Sequence, residues 1–95
     1  MAIGDQAADL QVILPTEFLT VRPGVGAEWR ISNIFFNGAT QLFFSDGSAS
    51  CLIATYLGSG RWAGVEFIVS NDFFLKIKNS SAVSKYIGFV GEVTK

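Results

Sequence analysis

Three pairs of adjacent phenylalanines constrain this chain more than any other feature of its sequence. The pairs are Phe35-Phe36, Phe43-Phe44 and Phe73-Phe74. Each pair lies in a run of apolar, β-branched and aromatic residues that is typical of a β-strand. Successive side chains on a strand point to opposite faces, so each pair directs one ring inward and one outward. A chain of 95 residues has a single core. We therefore expect the outward rings to form a second apolar surface that another molecule covers.

Turn residues divide the chain into short segments. Asn37-Gly38 and Asp46-Gly47 are strong hairpin signals, because Asn, Asp and Gly tolerate the positive φ of a tight turn. None of the segments between the turns has the period of a helix. The pattern predicts seven or eight antiparallel strands, at residues 9–14, 16–22, 28–36, 40–45, 50–57, 61–69, 73–78 and 85–94. We predict an all-β fold, an antiparallel β-sandwich of the jelly-roll or immunoglobulin-like kind, with a closed barrel as the alternative.

The first fifteen residues fit two descriptions. Residues 9–14 form a candidate strand closed by Pro15, whose missing N–H removes a ladder donor. Residues 1–15 also fit an extended arm that orders only against a neighbouring molecule. We therefore predict an N-terminal arm or first edge strand at 1–15, followed by a β-sandwich domain at 16–95.

Strict alternation along the predicted strands divides their apolar residues into an inward and an outward set. The inward set, the predicted core, is Trp29, Phe35, Leu42, Phe44, Val65, Phe67, Phe73, Leu75, Ile77, Ile87 and Phe89. The outward set, the predicted subunit interface, is Ile34, Phe36, Phe43, Ile68, Phe74 and Val90. Six such side chains would bury on the order of 600 to 900 Å² per subunit, the size of a standard specific interface. The alternative is that a local bulge exchanges the two faces of a strand.

The charge balance argues against nucleic acid and membranes as partners. Seven Lys and Arg against eight Asp and Glu give a net charge of −1, so no field attracts nucleic acid or acidic lipid. No apolar run approaches the roughly 20 residues that span a bilayer. Only 16% of the residues are charged, where about 25% is usual, which agrees with a surface that another molecule covers.

Few residues in this sequence suit catalysis or metal binding. Histidine is absent and Cys51 is the only cysteine, so an intrachain disulfide cannot form. Asp46 and Asp72 occupy turn positions, where a carboxylate caps its own backbone. We expect no catalytic residues, no cofactor and no metal site, and we expect Cys51 to be a small buried hydrophobe. A carbohydrate-binding module with Trp62 and Tyr56 as stacking platforms is the competing hypothesis.

Several phrases of the sequence resemble a known class of proteins. They are LTVRP at 19–23, EWRISNI at 28–34, SDG at 45–47 and NDFFLKIKN at 71–79. Over about residues 16–95 the chain is similar to small all-β structural proteins of tailed phages, such as head decoration (cement) proteins.

This resemblance implies a non-enzymatic virion protein that is made in the host cytoplasm. Its expected partners are copies of itself, with a trimer favoured, and the major capsid protein. It would stabilise the phage head. A tail or baseplate subunit would meet the same demands.

Overall fold

The protein folds into two packed antiparallel sheets. The computed structural model describes residues 3–58 and 60–95, with side chains for all of these except 62–66. Its strands are β1 (Gln6–Ile13), β2 (Phe18–Val21), β3 (Glu28–Phe36), β4 (Thr40–Ser45), β5 (Ser50–Tyr56), β6 (Gly60–Ser70), β7 (Phe74–Asn79) and β8 (Lys85–Val93). The described residues contain no helix. The prediction of an all-β sandwich is confirmed.

The strand order identifies the sandwich as a jelly roll. Sheet 1 has the order β1-β8-β3-β6, and sheet 2 has the order β2-β7-β4-β5. Strand β1 pairs with β8, β2 with β7, β3 with β6 and β4 with β5, so the first half of the chain folds back on the second half before the pairs roll into two layers. Within the N-terminal segment, residues 6–13 form an edge strand of sheet 1. They pair with β8 in one continuous register.

The core lies between the sheets. Its fully buried members include Ile31, Leu75, Ile77, Ile87 and Val69. Of the predicted core residues, Leu42, Leu75, Ile77, Ile87 and Phe89 are buried, while Trp29, Phe44 and Phe67 are partly buried and pack against the cluster. The side chain of Val65, also predicted for the core, lies outside the described part of the chain.

A β-bulge in β3 reverses the predicted faces of Ile34, Phe35 and Phe36. Ile31 pairs with Gly91 and Asn33 with Val90, so Ser32 is an extra residue in β3. Beyond it, Ile34 (2% exposed) and Phe36 (7% exposed) face the core, whereas Phe35 points outward. The prediction that Ile34 and Phe36 lie on an exposed interface is therefore wrong, and so is the prediction that Phe35 lies in the core.

The predicted faces of the third phenylalanine pair are also wrong. Strand β7 begins at Phe74, and Phe73 belongs to the preceding turn. Phe74 is 3% exposed, and the guanidinium of Arg22 lies 4.3 Å from its ring centroid. Phe73 is 53% exposed and stacks on Phe44, with the ring centroids 6.0 Å apart. From Leu75 onward β7 keeps the predicted alternation, but Phe74 is buried as well and joins the core cluster, while Phe73 remains at the margin of that cluster.

Cys51 and Asn79 differ from what their sequence context suggests. Cys51, predicted to be buried, is exposed, because β5 is an edge strand of sheet 2. Asn79 is fully buried, and its amide nitrogen donates to the carbonyl oxygens of Ile13 (2.7 Å) and Val83 (2.9 Å). Its side-chain oxygen accepts from the Ser81 backbone N–H. One buried amide therefore connects the end of β1 to the β7–β8 turn.

Candidate interaction surfaces

The outward face of sheet 1 carries exposed apolar side chains on three of its four strands and a half-buried phenylalanine on the fourth. We define the sheet 1 patch as Leu10, Val12, Phe35, Ile68, Tyr86 and Val90. Leu10, Val12, Ile68 and Tyr86 are each between 52% and 59% exposed, while Phe35 and Val90 are half-buried. The strand register groups Leu10, Val12, Tyr86 and Phe35 around Gly88, while Ile68 lies across Arg30 on the other edge strand. An exposed apolar patch of this kind marks an interaction site.

Gly88 makes the centre of the sheet 1 patch flat. It pairs with Leu10 on one side and with Phe35 on the other. A Cβ atom at this position would collide with the Phe35 ring and would lie 2.7 Å from the Asp9 carbonyl oxygen and 3.0 Å from Leu10 Cδ1. The side chains of Phe35 and Leu10 therefore meet above a glycine, and the patch is smooth.

Polar groups lie at both ends of the patch and also beside its members, since Arg61 pairs with Phe35 and Arg30 pairs with Ile68. At one end, Arg30 and Glu92 form an ion pair whose side chains are 42% and 41% exposed. A pair this exposed contributes little to stability, but it neutralises both charges locally. At the other end, Asn37 Oδ1 accepts a hydrogen bond from the Tyr86 backbone N–H at 2.8 Å. An apolar centre with a polar rim is the usual anatomy of a protein–protein interface.

The sheet edges are poorly suited to adding a further strand. In β1, Asp9 Oδ1 accepts a hydrogen bond from the backbone N–H of Leu10 at 2.9 Å, so this edge amide is occupied and lies beside a carboxylate. Strand β2 has only four residues. The register of β5 shifts around Ile53, and that of β6 shifts opposite Ser32. Short strands, charges and bulges all hinder edge-to-edge pairing. Association through the described surfaces is therefore expected to use the faces of the sheets.

The outward face of sheet 2 has a different chemistry. We define the sheet 2 face as Phe18, Gln41, Phe43, Leu52, Lys76 and Lys78. The rings of Phe18 and Phe43 meet edge to face, with centroids 5.8 Å apart. Lys76 Nζ lies 4.6 Å from the centroid of Phe18, which is a cation–π geometry. The four strands of this sheet contain no Asp or Glu, so Lys76 and Lys78 are their only charged residues.

The structure distributes the predicted interface residues over three places. Ile68 and Val90 belong to the sheet 1 patch, Phe43 belongs to the sheet 2 face, and Ile34, Phe36 and Phe74 lie in the core. Sequence reasoning missed Leu10, Val12 and Tyr86. The signal for the first two was present, because they alternate with polar residues along residues 9–14. This alternation gives the two residues a common face only if the segment is a strand, and an extended arm is equally compatible with the sequence.

The residues considered for chemistry have structural roles or lie outside the described side chains. Tyr56 packs against Phe36, with ring centroids 4.8 Å apart, so it contributes to the core margin instead of presenting a free platform. The Trp62 side chain lies outside the described part of the chain. Cys51 lines a shallow cavity of about 230 Å³ together with Phe44 and Phe73. Among the described residues, no group of three or more Cys, Asp or Glu is placed to hold a metal ion.

Asp46 is the titratable group with a clear structural role. Its Oδ1 accepts hydrogen bonds from the backbone N–H groups of Ser48 (2.9 Å) and Ala49 (2.8 Å). These two bonds lower the pKa of the Asp46 carboxyl below its usual value of 3.8. The carboxylate therefore fixes the β4–β5 turn, which is the role that its turn position predicts.

Comparison with known proteins gives no family for this chain. No protein family model matches it, and no curated protein matches it by sequence. Over residues 3–58 and 60–95 there is no helix with the length and apolar character needed to cross a membrane.

Proposed function

We propose that this protein is a non-enzymatic structural subunit that acts as a homo-oligomer, and that its setting is a virion, as a decoration protein of a phage head. The observation that carries the proposal is the sheet 1 patch. An apolar surface at the centre of a sheet, bordered by polar groups, is suited to burial against another protein. A trimer is the favoured assembly, and the major capsid protein is the proposed second partner.

The patch presents about half of the roughly 800 Å² that each partner buries in a standard interface. Four of its side chains are slightly more than half exposed. At about 100 Å² each they present roughly 400 Å² of apolar surface, which corresponds to about 10 kcal/mol at about 25 cal/mol per Å². Association itself costs from about 4 to 15 kcal/mol, so the apolar contribution of the patch is of the same size as the cost it has to offset.

The virion setting has two supports. Eight-stranded jelly rolls recur in viral shell proteins, although lectins use them too. The phrases at 19–23, 28–34, 45–47 and 71–79 resemble small tailed-phage structural proteins. Because a fold serves many functions, the oligomeric state and the virion setting need separate tests.

The oligomeric part of the proposal is tested by removing apolar surface without changing charge. In the double variant Leu10→Ser, Val12→Ser we expect at least a hundredfold weaker association, measured as molar mass by light scattering over a dilution series. The control is Leu57→Ser, Val83→Ser, which makes the same changes at exposed positions in turns. Equal loss of assembly in both variants, or in neither, would contradict the assigned role of the patch.

The virion part is tested by peptide mass spectrometry of density-purified particles from the source culture. We expect peptides of this chain to co-purify with the shell protein and to be depleted when the particles are stripped with mild denaturant. Their absence from intact particles would overturn the virion setting and leave the oligomer to be explained in another context.

A further inference from the structure

Strand β1 is held in the sandwich mainly by its ladder with β8. It lies at the edge of sheet 1, and β8 alone pairs with it among the described strands. Of its eight side chains only those of Ala7 and Ile13 are buried, while Leu10 and Val12 are more than half exposed. A β1 strand from another copy of the chain would make the same ladder and fill the same two buried positions. The strand is therefore a segment that copies can exchange with little change in contacts.

The connection between β1 and β2 is a strained turn. Residues 14–17 lead from sheet 1 to sheet 2, and the backbone N–H of Glu17 donates to the Leu14 carbonyl oxygen at 3.0 Å. Thr16, which follows Pro15, has a φ of 66° and is the only residue other than glycine with a positive φ in the described part of the chain. This turn position favours Gly or Asn, and a β-branched residue is strained there. Short connections under strain favour exchange of the segment that they hold.

Opening the turn would release this strain and keep the contacts on both sides of it. The side-chain amide of Asn79 donates to the Ile13 carbonyl oxygen at 2.7 Å, and the backbone N–H of Asn79 donates to the Glu17 carbonyl oxygen at 3.0 Å. After exchange Ile13 comes from the other copy, so both bonds persist. The turn bond between Glu17 and Leu14 and the bond from the Thr16 N–H to the Asn79 carbonyl oxygen depend on the closed turn.

The acceptor of an exchanged β1 has to be a copy that is already in contact. Four extended residues span at most about 14 Å, so the strand cannot reach a distant molecule. Leu10 and Val12 belong to the sheet 1 patch, so copies that meet through this patch have their β1 strands at the contact. Exchange replaces one β1 by another and adds no strand to the sheet edge. The occupied edge amide beside Asp9 therefore does not oppose it.

We propose that β1 is exchanged between copies in the oligomer, so that β1 of one chain pairs with β8 of its neighbour, with residues 14–17 as the hinge. This inference rests on the proposed function, because it names the segment that links the copies of the oligomer. Each subunit keeps the fold described above, since only the hinge changes. The sheet 1 patch of each subunit then contains Leu10 and Val12 of a neighbouring chain.

The test asks which chain supplies the β1 strand of each subunit. Ala8 pairs with Val90, and facing residues of an antiparallel ladder lie about 4.5 to 5.5 Å apart at Cα, a distance that a disulfide spans. The reporter is the full chain with Ala8→Cys, Val90→Cys and Cys51→Ser, assembled at micromolar concentration, cross-linked by oxidation or by a short bifunctional thiol reagent, and then denatured. We expect covalent multiples of the 10.3 kDa chain by mass spectrometry, because each cross-link joins two chains.

The matched control places the two cysteines on β3 and β8, as Arg30→Cys, Glu92→Cys in the same Cys51→Ser background. Arg30 pairs with Glu92, and both strands stay in one chain whether or not β1 is exchanged. The control chains should therefore remain at 10.3 kDa after denaturation. Equal multiples in the reporter and in the control would overturn the inference, because cross-links would then form between subunits without exchange.

The role of the hinge is tested by adding Thr16→Gly to the reporter, with Thr55→Gly as the control. Glycine adopts a positive φ without strain, so the closed turn becomes more favourable. We expect the ratio of interchain to intrachain cross-links over a dilution series to fall about tenfold, the size expected when left-handed strain is removed from one residue. Thr55→Gly should not change this ratio, because Thr55 lies on β5. An unchanged ratio in Thr16→Gly would overturn the assignment of the strained turn as the hinge.

The outcomes separate this inference from the proposed function. Interchain cross-links in the reporter but not in the control support the exchange of β1. A native oligomer whose reporter chains all have a mass of 10.3 kDa after denaturation would overturn the exchange and leave the contact through the sheet 1 patch in place. A wild-type protein that is monomeric throughout the dilution series would overturn both.

Discussion

The two outward faces of the sandwich are built on the same four-stranded plan but differ in surface chemistry. The face of sheet 1 is smooth and apolar around Gly88, with Arg61 opposite Phe35 and the Arg30–Glu92 ion pair towards one end. The face of sheet 2 is aromatic and cationic, with Lys76 and Lys78 in a sheet without carboxylates. The difference shows that the jelly roll supplies two surfaces, and that a bulge, a glycine and two lysines determine the chemistry of each.

The largest expected effect comes from the adjacent rings of Phe35 and Phe36, which lie on opposite sides of sheet 1. Phe36→Ala should destabilise the fold by about 3 to 5 kcal/mol, because it leaves a cavity in the core. Phe35→Ala should cost about 1 kcal/mol, because its ring is half-buried on the outward face. Urea unfolding of both variants measures the difference. Equal losses would contradict the exchange of faces at Ser32, and strict alternation would give the reverse order.

Filling the flat centre of the sheet 1 patch should have the next largest effect. Gly88→Val should destabilise the fold by about 1 to 3 kcal/mol, because its Cβ collides with the Phe35 ring and approaches the Asp9 carbonyl. The control is Gly24→Val, since a Cβ at Gly24 meets nothing within 4 Å. Thermal unfolding compares the two. An unchanged melting temperature for Gly88→Val would mean that Phe35 and Leu10 do not meet above the glycine.

A smaller effect is expected on the sheet 2 face. Lys76→Ala should destabilise the fold by about 0.5 to 1 kcal/mol, since it removes the cation over the Phe18 ring. Lys78→Ala should cost less, because the cation–π contact with Phe18 is made by Lys76. Urea unfolding at low protein concentration separates this loss from any effect on assembly. A larger loss in Lys78→Ala would show that the cation–π contact does not organise this face.

The smallest effect concerns the β4–β5 turn, which lies at the end of sheet 2. Because the pKa of Asp46 is lower in the folded than in the unfolded chain, its ionised carboxylate stabilises the turn at neutral pH. This contribution decreases as the pH falls below 3.8 and is lost below the folded pKa. Asp46→Asn should be slightly less stable than the wild type at pH 7 and equal to it at low pH. A stability difference that does not change with pH would contradict this role.

The sequence predicts which segments form strands, but it does not predict which side chains of each strand face the core. Regular alternation in β7 and β8 correctly predicted Leu75, Ile77, Ile87 and Phe89 as core residues. In β3 the bulge at Ser32 shifts the alternation by one residue, and the pattern 31–36 contains apolar residues on both faces, so polarity does not locate the shift. A bulge depends on the partner strands, which a single strand's sequence does not reveal.

The apolar outer face illustrates the same limit. A second apolar surface is what the phenylalanine pairs predict, and the structure has one on sheet 1. Only Ile68 and Val90 of the six predicted residues lie in it, because the others were assigned by alternation within single strands. Leu10, Val12 and Tyr86 come together only through the pairing of β1 with β8, the most distant strands in the chain.

The most direct test of the central claim, that the outward face of sheet 1 is covered by another copy, is the absolute molar mass of the wild-type protein. Light scattering behind a sizing column at micromolar concentration gives this mass without assumptions about shape. A covered sheet 1 face predicts a multiple of the 10.3 kDa chain, with three copies giving about 31 kDa. A mass of 10.3 kDa that does not change with concentration would contradict it.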